Sequence, residues 1–160
     1  MHARHFLAFA ALCAAAAACE NEPVGRQCER ISSTVARTNG DTVTTASGLR
    51  YLEVRAGTGA TVAPCADVGI QYTLFVNGAA LDSLRTPGRE FPFTPGAQPP
   101  QVISGVEEGV LGMRVGGRRR LIIPPSLGYG PNAQIDPRTG AVLVPANSTL
   151  VFDVEVVSFQ

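Results

Sequence analysis

Apolar and polar residues alternate along two stretches of the chain, as in strands that bury one face of a sheet. In DVGIQYTLFVNG the apolar positions run from Val68 to Val76 at every second residue, and Asn77-Gly78 follows as a strong hairpin signal. The final run, TLVFDVEVVSF, repeats the alternation. LRYLEVR and RRRLIIP are further strand candidates, and FPF at residues 91–93 predicts a short edge piece. These runs together predict a domain rich in β-strands.

One short helix is predicted between these strands, over the stretch SGVEEGVLGM at residues 104–113. Ser104 and Glu107 have the spacing of a capping box, in which the two side chains satisfy backbone N–H groups of the first turn. Glu108 lies about 100° round the helix from Glu107, so a catalytic pair of carboxylates is not predicted, and Glu108 is predicted on a solvated face. The apolar positions that recur at helical spacing, and would face the sheet, are Ile103, Val106, Val110 and Met113.

Three consecutive arginines, Arg118, Arg119 and Arg120, follow the predicted helix. Because side chains alternate along a strand, at least one of the three must lie on the buried side or lay its stem along it. Two interpretations are open, a solvated face of the sheet and an anion-binding site. We favour the solvated face.

The first 18 residues have the features of a lipoprotein-type export signal. Arg4 supplies a positive start, FLAFAALCAAAAA is an apolar run too short to span a bilayer, and small residues lead up to Cys19. The sequence AAAC at 16–19 resembles a bacterial lipobox, in which the cysteine is lipidated; the alternative is a plain signal peptide cleaved nearby. Residues 19–46 are polar with little periodicity, which predicts a flexible linker before a domain at 47–160.

This N-terminal pattern predicts where the protein works. We expect it on the periplasmic side of the cell envelope, held at a membrane by a lipid on Cys19. The alternative expectation is a soluble periplasmic or secreted protein.

Composition removes several classes of function. The 13 basic residues are all arginine and the formal net charge is zero, so the basic excess of a nucleic-acid-binding protein is absent. Both histidines, His2 and His5, lie in the export signal, so histidine-dependent hydrolase chemistry and His-containing zinc sites are not predicted, nor is any cofactor. If Cys19 is lipidated, Cys28 and Cys65 remain as a pair, and a disulfide between them is a hypothesis.

Three motifs in order resemble the FKBP-type peptidyl-prolyl cis-trans isomerases, the immunophilins that bind macrolides. They are YTLFVNGAALDS, then GVEEGVLGMRVGGRRRLIIPPSLGYG, then VPANSTLVFDVEV. The resemblance extends over residues 47–160, and the export signal is similar to that of bacterial exported, lipoprotein-like members. It implies an α+β fold, in which a twisted antiparallel β-sheet wraps around one short α-helix and an apolar pocket lies between them.

The resemblance also implies the function, a rotamase that accelerates rotation of X-Pro bonds in exported proteins without a cofactor. Its partners would be proline-containing unfolded or exported polypeptides, and macrolide immunosuppressants as pocket ligands. The alternative is a folding chaperone of the cell envelope that binds proline-containing segments with little isomerase activity.

The pocket residues follow from the same resemblance. In the family, the residue at Tyr129 donates its hydroxyl to a ligand carbonyl, and the backbone N–H at Ile103 is a second anchor. Asp82 stands at the pocket rim, with Arg85 or Arg89 as its partner. The residues assigned catalytic roles are Tyr72, Asp82, Tyr129 and Phe152, and those assigned to substrate binding are Leu81, Phe91, Val102, Ile103, Val106 and Val144.

Three departures from the family pattern predict modest activity. Val106 stands where well-known members have a tryptophan on the pocket floor, and Leu81 stands where a phenylalanine is usual. Both replacements leave the pocket apolar but roomier, so less proline surface is buried. The third departure is the segment PNAQIDPRTGAV at 131–142, which is longer than in compact members and is expected to affect protein substrates more than short peptides.

Overall fold

The computed structural model describes residues 35–37 and 42–160. The described part contains one α-helix, α1 Ser104–Val110, and a single 3-10 turn, Pro125–Leu127. Its strands are β1 Val35–Arg37, β2 Thr42–Thr45, β3 Arg50–Arg55, β4 Val68–Val76, β5 Ala79–Leu84, β6 Phe91–Phe93, β7 Arg118–Ile123, β8 Gln134–Ile135, β9 Val142–Val144 and β10 Leu150–Phe159.

Eight of these strands form one antiparallel sheet in the order β1-β2-β3-β7-β10-β4-β5, with β6 paired to the edge of β4. The last strand, β10, lies at the centre and pairs with both β4 and β7. Strands β8 and β9 form a separate two-stranded hairpin. The predicted fold class, a twisted antiparallel sheet around one short helix, is confirmed.

Helix α1 packs against the inner face of the sheet. Its Val106 and Val110 are buried, and they join Leu121, Ile123 and other inward side chains in the core. Gly105 and Gly109 face β7 so closely that a Cβ on either would collide with the side chain of Ile123 or Leu121. Two glycines four residues apart therefore let the helix axis approach the sheet.

The predicted capping box is wrong. The residue before the helix is Ile103, in an extended conformation, and no side chain within the described ranges caps the first turn. Because Ser104 is already helical, its hydroxyl stands one position too late to act as the N-cap oxygen. Glu107 lies buried instead, where it accepts a hydrogen bond from the backbone N–H of Gly96.

Glu108 is half-buried rather than freely solvated. Both of its carboxylate oxygens accept the hydroxyl of Ser47, at 2.7 and 2.9 Å. This contact fixes the helix to the turn between β2 and β3. The adjacent glutamates thus have two separate structural contacts.

Arg119 is the arginine on the buried side that strand alternation predicted, and the prediction of a solvated face is wrong for this residue. Its side chain is buried and donates to the carbonyl oxygens of Gly109 (2.7 Å) and Leu111 (3.3 Å) at the end of α1. Glu53 pairs with its guanidinium at 2.8 Å, and the ring of Tyr51 lies 4.1 Å beneath it. Arg119 therefore acts as a buried C-terminal cap for the helix.

The sheet begins upstream of residue 47, inside the stretch predicted as a flexible linker. Strand β2, Thr42–Thr45, pairs with β3, and β1 in turn pairs with β2. Residues 42–45 are thus part of the domain, and their three threonines and one valine suit a strand. The predicted export signal, Cys19 and Cys28 lie outside the described residues. Within the described part, no helix is both long and apolar enough to cross a lipid bilayer.

Cys65 is disulfide-bonded. Its backbone N–H donates to the carbonyl of Pro95 at 3.0 Å. The pairing of Cys65 with Cys28 stays a prediction, which mass spectrometry after alkylation without reduction would test.

Candidate active site

A cavity of about 190 Å³ opens between α1 and the inner face of the sheet. Three successive inward residues of β4, which are Ile70, Tyr72 and Leu74, form one wall because side chains alternate along a strand. Phe152 of β10 adds to that wall. The remaining lining residues are Asp82, Phe91, Gln101, Val102, Ile103, Val106 and Tyr129.

Four of the eleven lining residues carry aromatic rings. The ring of Tyr72 meets Phe91 edge to face at 6.3 Å and contacts Phe152 at 6.0 Å. Phe93 is buried behind Phe91, with ring centroids 6.4 Å apart. These separations are in the favourable range for aromatic pairs, so the rings support one another and define a fixed apolar surface.

The floor of the cavity is Val106, which is only 3% exposed. The chain contains no tryptophan. A valine in the first turn of the helix gives an apolar floor without an indole ring and its N–H donor.

Asp82 is bound to Tyr72 at the rim. The Tyr72 hydroxyl donates to Asp82 Oδ2 at 2.7 Å. Burial, followed by this hydrogen bond to the Asp82 carboxylate, raises the pKa of Tyr72 to about 12. The hydroxyl therefore stays protonated at neutral pH and fixes the orientation of its ring.

Neither candidate arginine pairs with Asp82 in the described part of the chain. Arg85 turns to the outer face, where it donates to Thr73 Oγ1 (2.7 Å) and to the carbonyl of Asp153 (2.8 Å). Arg89 makes no ion pair among the described residues. The rim aspartate is held by the tyrosine instead.

Tyr129 reaches the cavity from the turn that follows β7. Its turn is closed by bonds from the N–H groups of Gly128 and Gly130 to the carbonyl of Pro125, each 3.0 Å long. Burial, and next the charge of Asp82, raise the pKa of Tyr129 above its ordinary value. The neutral hydroxyl has no hydrogen-bond partner among the described residues, so it is free to donate to a ligand.

A second donor stands at the start of α1. The backbone N–H of Ile103 lies just before the helix and has no partner within residues 35–37 and 42–160. The next segment upstream is fixed, because Gln101 accepts the N–H of Thr94 at 2.8 Å. The cavity thus combines apolar walls with two unpaired donors from different elements.

Eight of the ten residues assigned from the sequence line this cavity, and two do not. Val144 is buried in the core behind the cavity. Leu81 is 37% exposed and faces a neighbouring groove, because a β-bulge in β5 turns it away. The residues that the sequence assignment missed are Ile70, Leu74 and Gln101.

Ile70 and Leu74 had a sequence signal, since they share the inward face of β4 with Tyr72. Gln101 had none, because its place depends on the path of the loop before the helix. No group of three or more His, Cys, Asp or Glu side chains with metal-binding geometry occurs in the described part of the chain.

Comparison with known proteins identifies the family of this chain. Residues 59–157 match the FKBP-type peptidyl-prolyl cis-trans isomerase family. The chain belongs to this family. The matched residues include all eleven residues that line the cavity.

Individual relatives agree. FK506-binding protein 4 of Dictyostelium discoideum is 44% identical over 119 residues, which cover 72% of this chain and 29% of that protein. FK506-binding protein 2 of the same organism is 47% identical over 92 residues, covering 57% of this chain and 63% of that protein. The FKBP chain described here thus spans less than a third of the first relative.

Solved structures show the same fold. FkpA from Escherichia coli superimposes with a TM-score of 0.62 at 32% identity, covering 77% of this chain and 53% of that one. AtFKBP13 gives a TM-score of 0.66 at 28% identity, with 76% of this chain and 100% of that one covered. The FKBP domain here therefore has the topology of its relatives.

Proposed function

We propose that this protein is a peptidyl-prolyl cis-trans isomerase that acts on X-Pro bonds of unfolded polypeptides. The observation that carries the proposal is the aromatic cavity with two donors at its edge, the Tyr129 hydroxyl and the Ile103 N–H, which have no partner in the described part of the chain. No histidine, cysteine, serine or threonine is among the residues that line it. Prolyl rotation needs no nucleophile, because no covalent bond is broken or formed.

Rotation is slow because the twisted amide loses resonance, with a barrier of about 18–20 kcal/mol. A planar amide is more polar than a twisted one. Apolar walls such as Tyr72, Phe91 and Phe152 exclude water from the proline ring and its amide, which favours the twisted form relative to the planar ground state. About 1.4 kcal/mol of this differential binding is worth a factor of ten in rate.

The two donors would hold the peptide on either side of the rotating bond. Tyr129 and Ile103 come from separate elements, the turn after β7 and the residue before α1. Fixing the chain at two carbonyls allows only the prolyl bond to turn and reduces the entropy lost on reaching the transition state. The paired Tyr72 and Asp82 keep the wall rigid.

The valine floor favours modest activity and supports a second candidate function. Val106 buries less proline surface than an aromatic floor would, so binding energy for the twisted amide is reduced. A pocket that holds proline segments with little turnover would make the protein a folding chaperone. We propose the folding chaperone as the second candidate function.

The cellular setting is also a proposal. The substrates would be exported polypeptides in the cell envelope, met by a bacterial lipoprotein-like member anchored through Cys19. The N-terminal sequence pattern supports this. Fatty-acid labelling of the wild type and of Cys19→Ala would test it, and equal labelling of the two would contradict it. Because relatives are named for FK506 binding, macrolides of that type are proposed pocket ligands.

The test is an NMR measurement of exchange in a leucine-proline tetrapeptide, with the purified wild type and Val106→Trp. Clear acceleration by the wild type is expected, with faster exchange for Val106→Trp. If the wild type binds the peptide without accelerating exchange, the chaperone reading replaces the isomerase. If the peptide does not bind at all, both readings are wrong.

A further inference from the structure

Arginine side chains from three parts of the sheet gather on its outer face, on the side away from the cavity. We call them the outer-face arginines, and they are Arg55, Arg85, Arg118 and Arg120. Two come from β7, because strand alternation turns both neighbours of the buried Arg119 away from the helix. The other two come from β3 and from the residue after β5.

Two carboxylates within the described residues pair with the outer-face arginines. Asp153 binds Arg120 through both of its oxygens, at 2.6 and 2.8 Å, and its backbone carbonyl accepts from Arg85 at 2.8 Å. Glu155 pairs with Arg55 at 2.6 Å. Four guanidinium groups therefore share two carboxylates, which leaves an excess of positive charge on this face.

Arg118 is the outer-face arginine that has no counterpart. It forms no ion pair among the described residues, and its Nε is buried without a hydrogen-bond partner there. The residue is partly exposed, so its terminal nitrogens are the part that solvent reaches. A further acid, Glu90, lies at the far end of β4, where a Cβ on Gly69 would collide with its carboxylate.

The position of Arg118 is unfavourable for the fold alone. Burial, and next the charge of Arg118, lower the pKa of Arg85, so the two cations repel each other. A partly buried cation with an unsatisfied Nε and a like charge beside it costs stability unless an anion offsets it. This favours the anion-binding interpretation of the arginine run for Arg118.

The arrangement of the outer-face arginines indicates the class of anion. A carboxylate is planar and fits one guanidinium fork, as Asp153 does with Arg120. A phosphate group presents oxygens in several directions and carries up to about two negative charges. It can therefore accept hydrogen bonds from guanidinium groups that reach it from different strands, such as those of Arg118 and Arg85.

We propose that Arg118, with Arg85 and Arg120 beside it, binds a phosphate group on the outer face of the sheet. This site is separate from the cavity and independent of the proposed isomerase function. Two sources offer the same chemistry, the headgroup of an anionic phospholipid and a dissolved phosphate compound. The experiment has one arm for each source.

The first arm titrates the purified full chain with inorganic pyrophosphate at low ionic strength, followed by isothermal titration calorimetry. The variant is Arg118→Gln. The matched control is Arg138→Gln, which removes the same charge from a side chain that is 89% exposed in the turn between β8 and β9. Wild type and control should bind saturably, and Arg118→Gln should bind about tenfold more weakly, because it loses charge-assisted hydrogen bonds.

Thermal unfolding separates binding from a structural role of Arg118. Free Arg118→Gln should unfold at a temperature no lower than the wild type, because the repulsion of Arg85 is relieved. Saturating pyrophosphate should raise the unfolding temperature of the wild type and not that of the variant. Arg118→Lys keeps the charge and should fold like the wild type, but it should bind pyrophosphate more weakly because an ammonium group lacks the guanidinium fork.

The second arm is sedimentation with vesicles of phosphatidylcholine, with and without phosphatidylglycerol. All proteins in this arm carry Cys19→Ala, so that a lipid on that residue does not attach them. Binding that needs phosphatidylglycerol, and that Arg118→Gln loses and Arg138→Gln keeps, identifies a lipid headgroup as the source. Pyrophosphate binding without vesicle binding identifies a dissolved phosphate compound.

Several results would overturn the phosphate site. One is the absence of both saturable pyrophosphate binding and phosphatidylglycerol-dependent sedimentation in the wild type. Another is equal binding by the wild type and Arg118→Gln, above all if the variant is less stable, since Arg118 would then be structural. Equal losses in Arg118→Gln and Arg138→Gln would show general charge attraction in place of a site.

Discussion

The buried carboxylates on the two faces of the central sheet differ in their partners and in the direction of their pKa shifts. Asp153, on the outer face, is 8% exposed and binds Arg120 through two bonds of 2.6 and 2.8 Å. Glu107, on the helix that covers the inner face, is 7% exposed, and its Oε1 has no partner among the described residues. Arg120 lowers the pKa of Asp153, whereas burial raises the pKa of Glu107.

The same contrast holds for other polar groups: those on the outer face are mostly paired within the fold, and two at the cavity are available to bind a ligand. On the outer face, Arg85, Thr73 and Asp153 satisfy one another, although the buried Nε of Arg118 has no partner in the described part. At the cavity, the Tyr129 hydroxyl and the Ile103 N–H have no partner among the described residues. Paired groups stabilise the fold, and unpaired donors beside an apolar wall can bind a peptide.

The largest expected effect comes from breaking the outer-face pair with Asp153→Asn. Losing charge-assisted bonds to Arg120 should lower the free energy of unfolding by about 2 kcal/mol at pH 7. Because the folded pKa of Asp153 is depressed, the stability that it adds is present above the ordinary aspartate pKa, and the deficit should shrink as pH falls below about 4. Urea denaturation at several pH values measures it.

The control for that prediction is Arg138→Gln. Arg138 pairs with Asp136 at 3.8 Å and its side chain is 89% exposed, so its loss should change stability by less than about 0.5 kcal/mol. Equal effects of the two variants on stability would contradict this account. So would a fall in exchange rate per folded Asp153→Asn molecule, because the outer-face pair is expected to affect stability and not activity.

A smaller effect of opposite sign is expected from Glu107→Gln. A carboxyl group whose pKa is raised on folding is more favourable when protonated, so it costs stability as pH rises past its unfolded pKa. The glutamine should therefore be more stable than the wild type at pH 7 and lose this advantage near pH 4. Glu108→Gln, which loses a charged acceptor for Ser47, should not gain stability. Thermal unfolding across pH that shows no gain for Glu107→Gln would refute this.

The smallest effect concerns the pH dependence of the exchange rate. Tyr72, whose pKa is raised to about 12, and Tyr129, whose pKa is also raised, both stay protonated through neutral and mildly basic pH. The rate on a neutral peptide should be flat between about pH 6 and 9. A steep fall across that range would show that another ionising group controls the site.

The sequence predicted much of this arrangement because strand alternation is a strong local signal. The inward series on β4 places Tyr72 in the cavity wall, and the ordered motifs place Tyr129, Phe152 and Val106 with it. The parts that it missed depend on contacts across the fold. Ser104 has a capping spacing, but the loop path puts Ile103 at the cap, and it also carries Gln101 into the wall.

Arg119 and Leu81 show the same limit. Nothing local to RRRLIIP says which arginine meets the end of α1, because that follows from the register of β7 on β10 and β3. The bulge that turns Leu81 out of the cavity likewise depends on how β4 and β5 pair. A short stretch of sequence shows the alternation of a strand, but it does not show the register of that strand with distant strands.

The central claim, that an unpaired tyrosine hydroxyl beside an apolar wall promotes prolyl rotation, is tested most directly by Tyr129→Phe. We predict that NMR exchange of the leucine-proline peptide slows by about fivefold, the value of one hydrogen bond of about 1 kcal/mol, with unfolding stability unchanged. Tyr51→Phe, a half-buried tyrosine remote from the cavity, should leave the rate unchanged. Equal rates for Tyr129→Phe and the wild type would contradict the account.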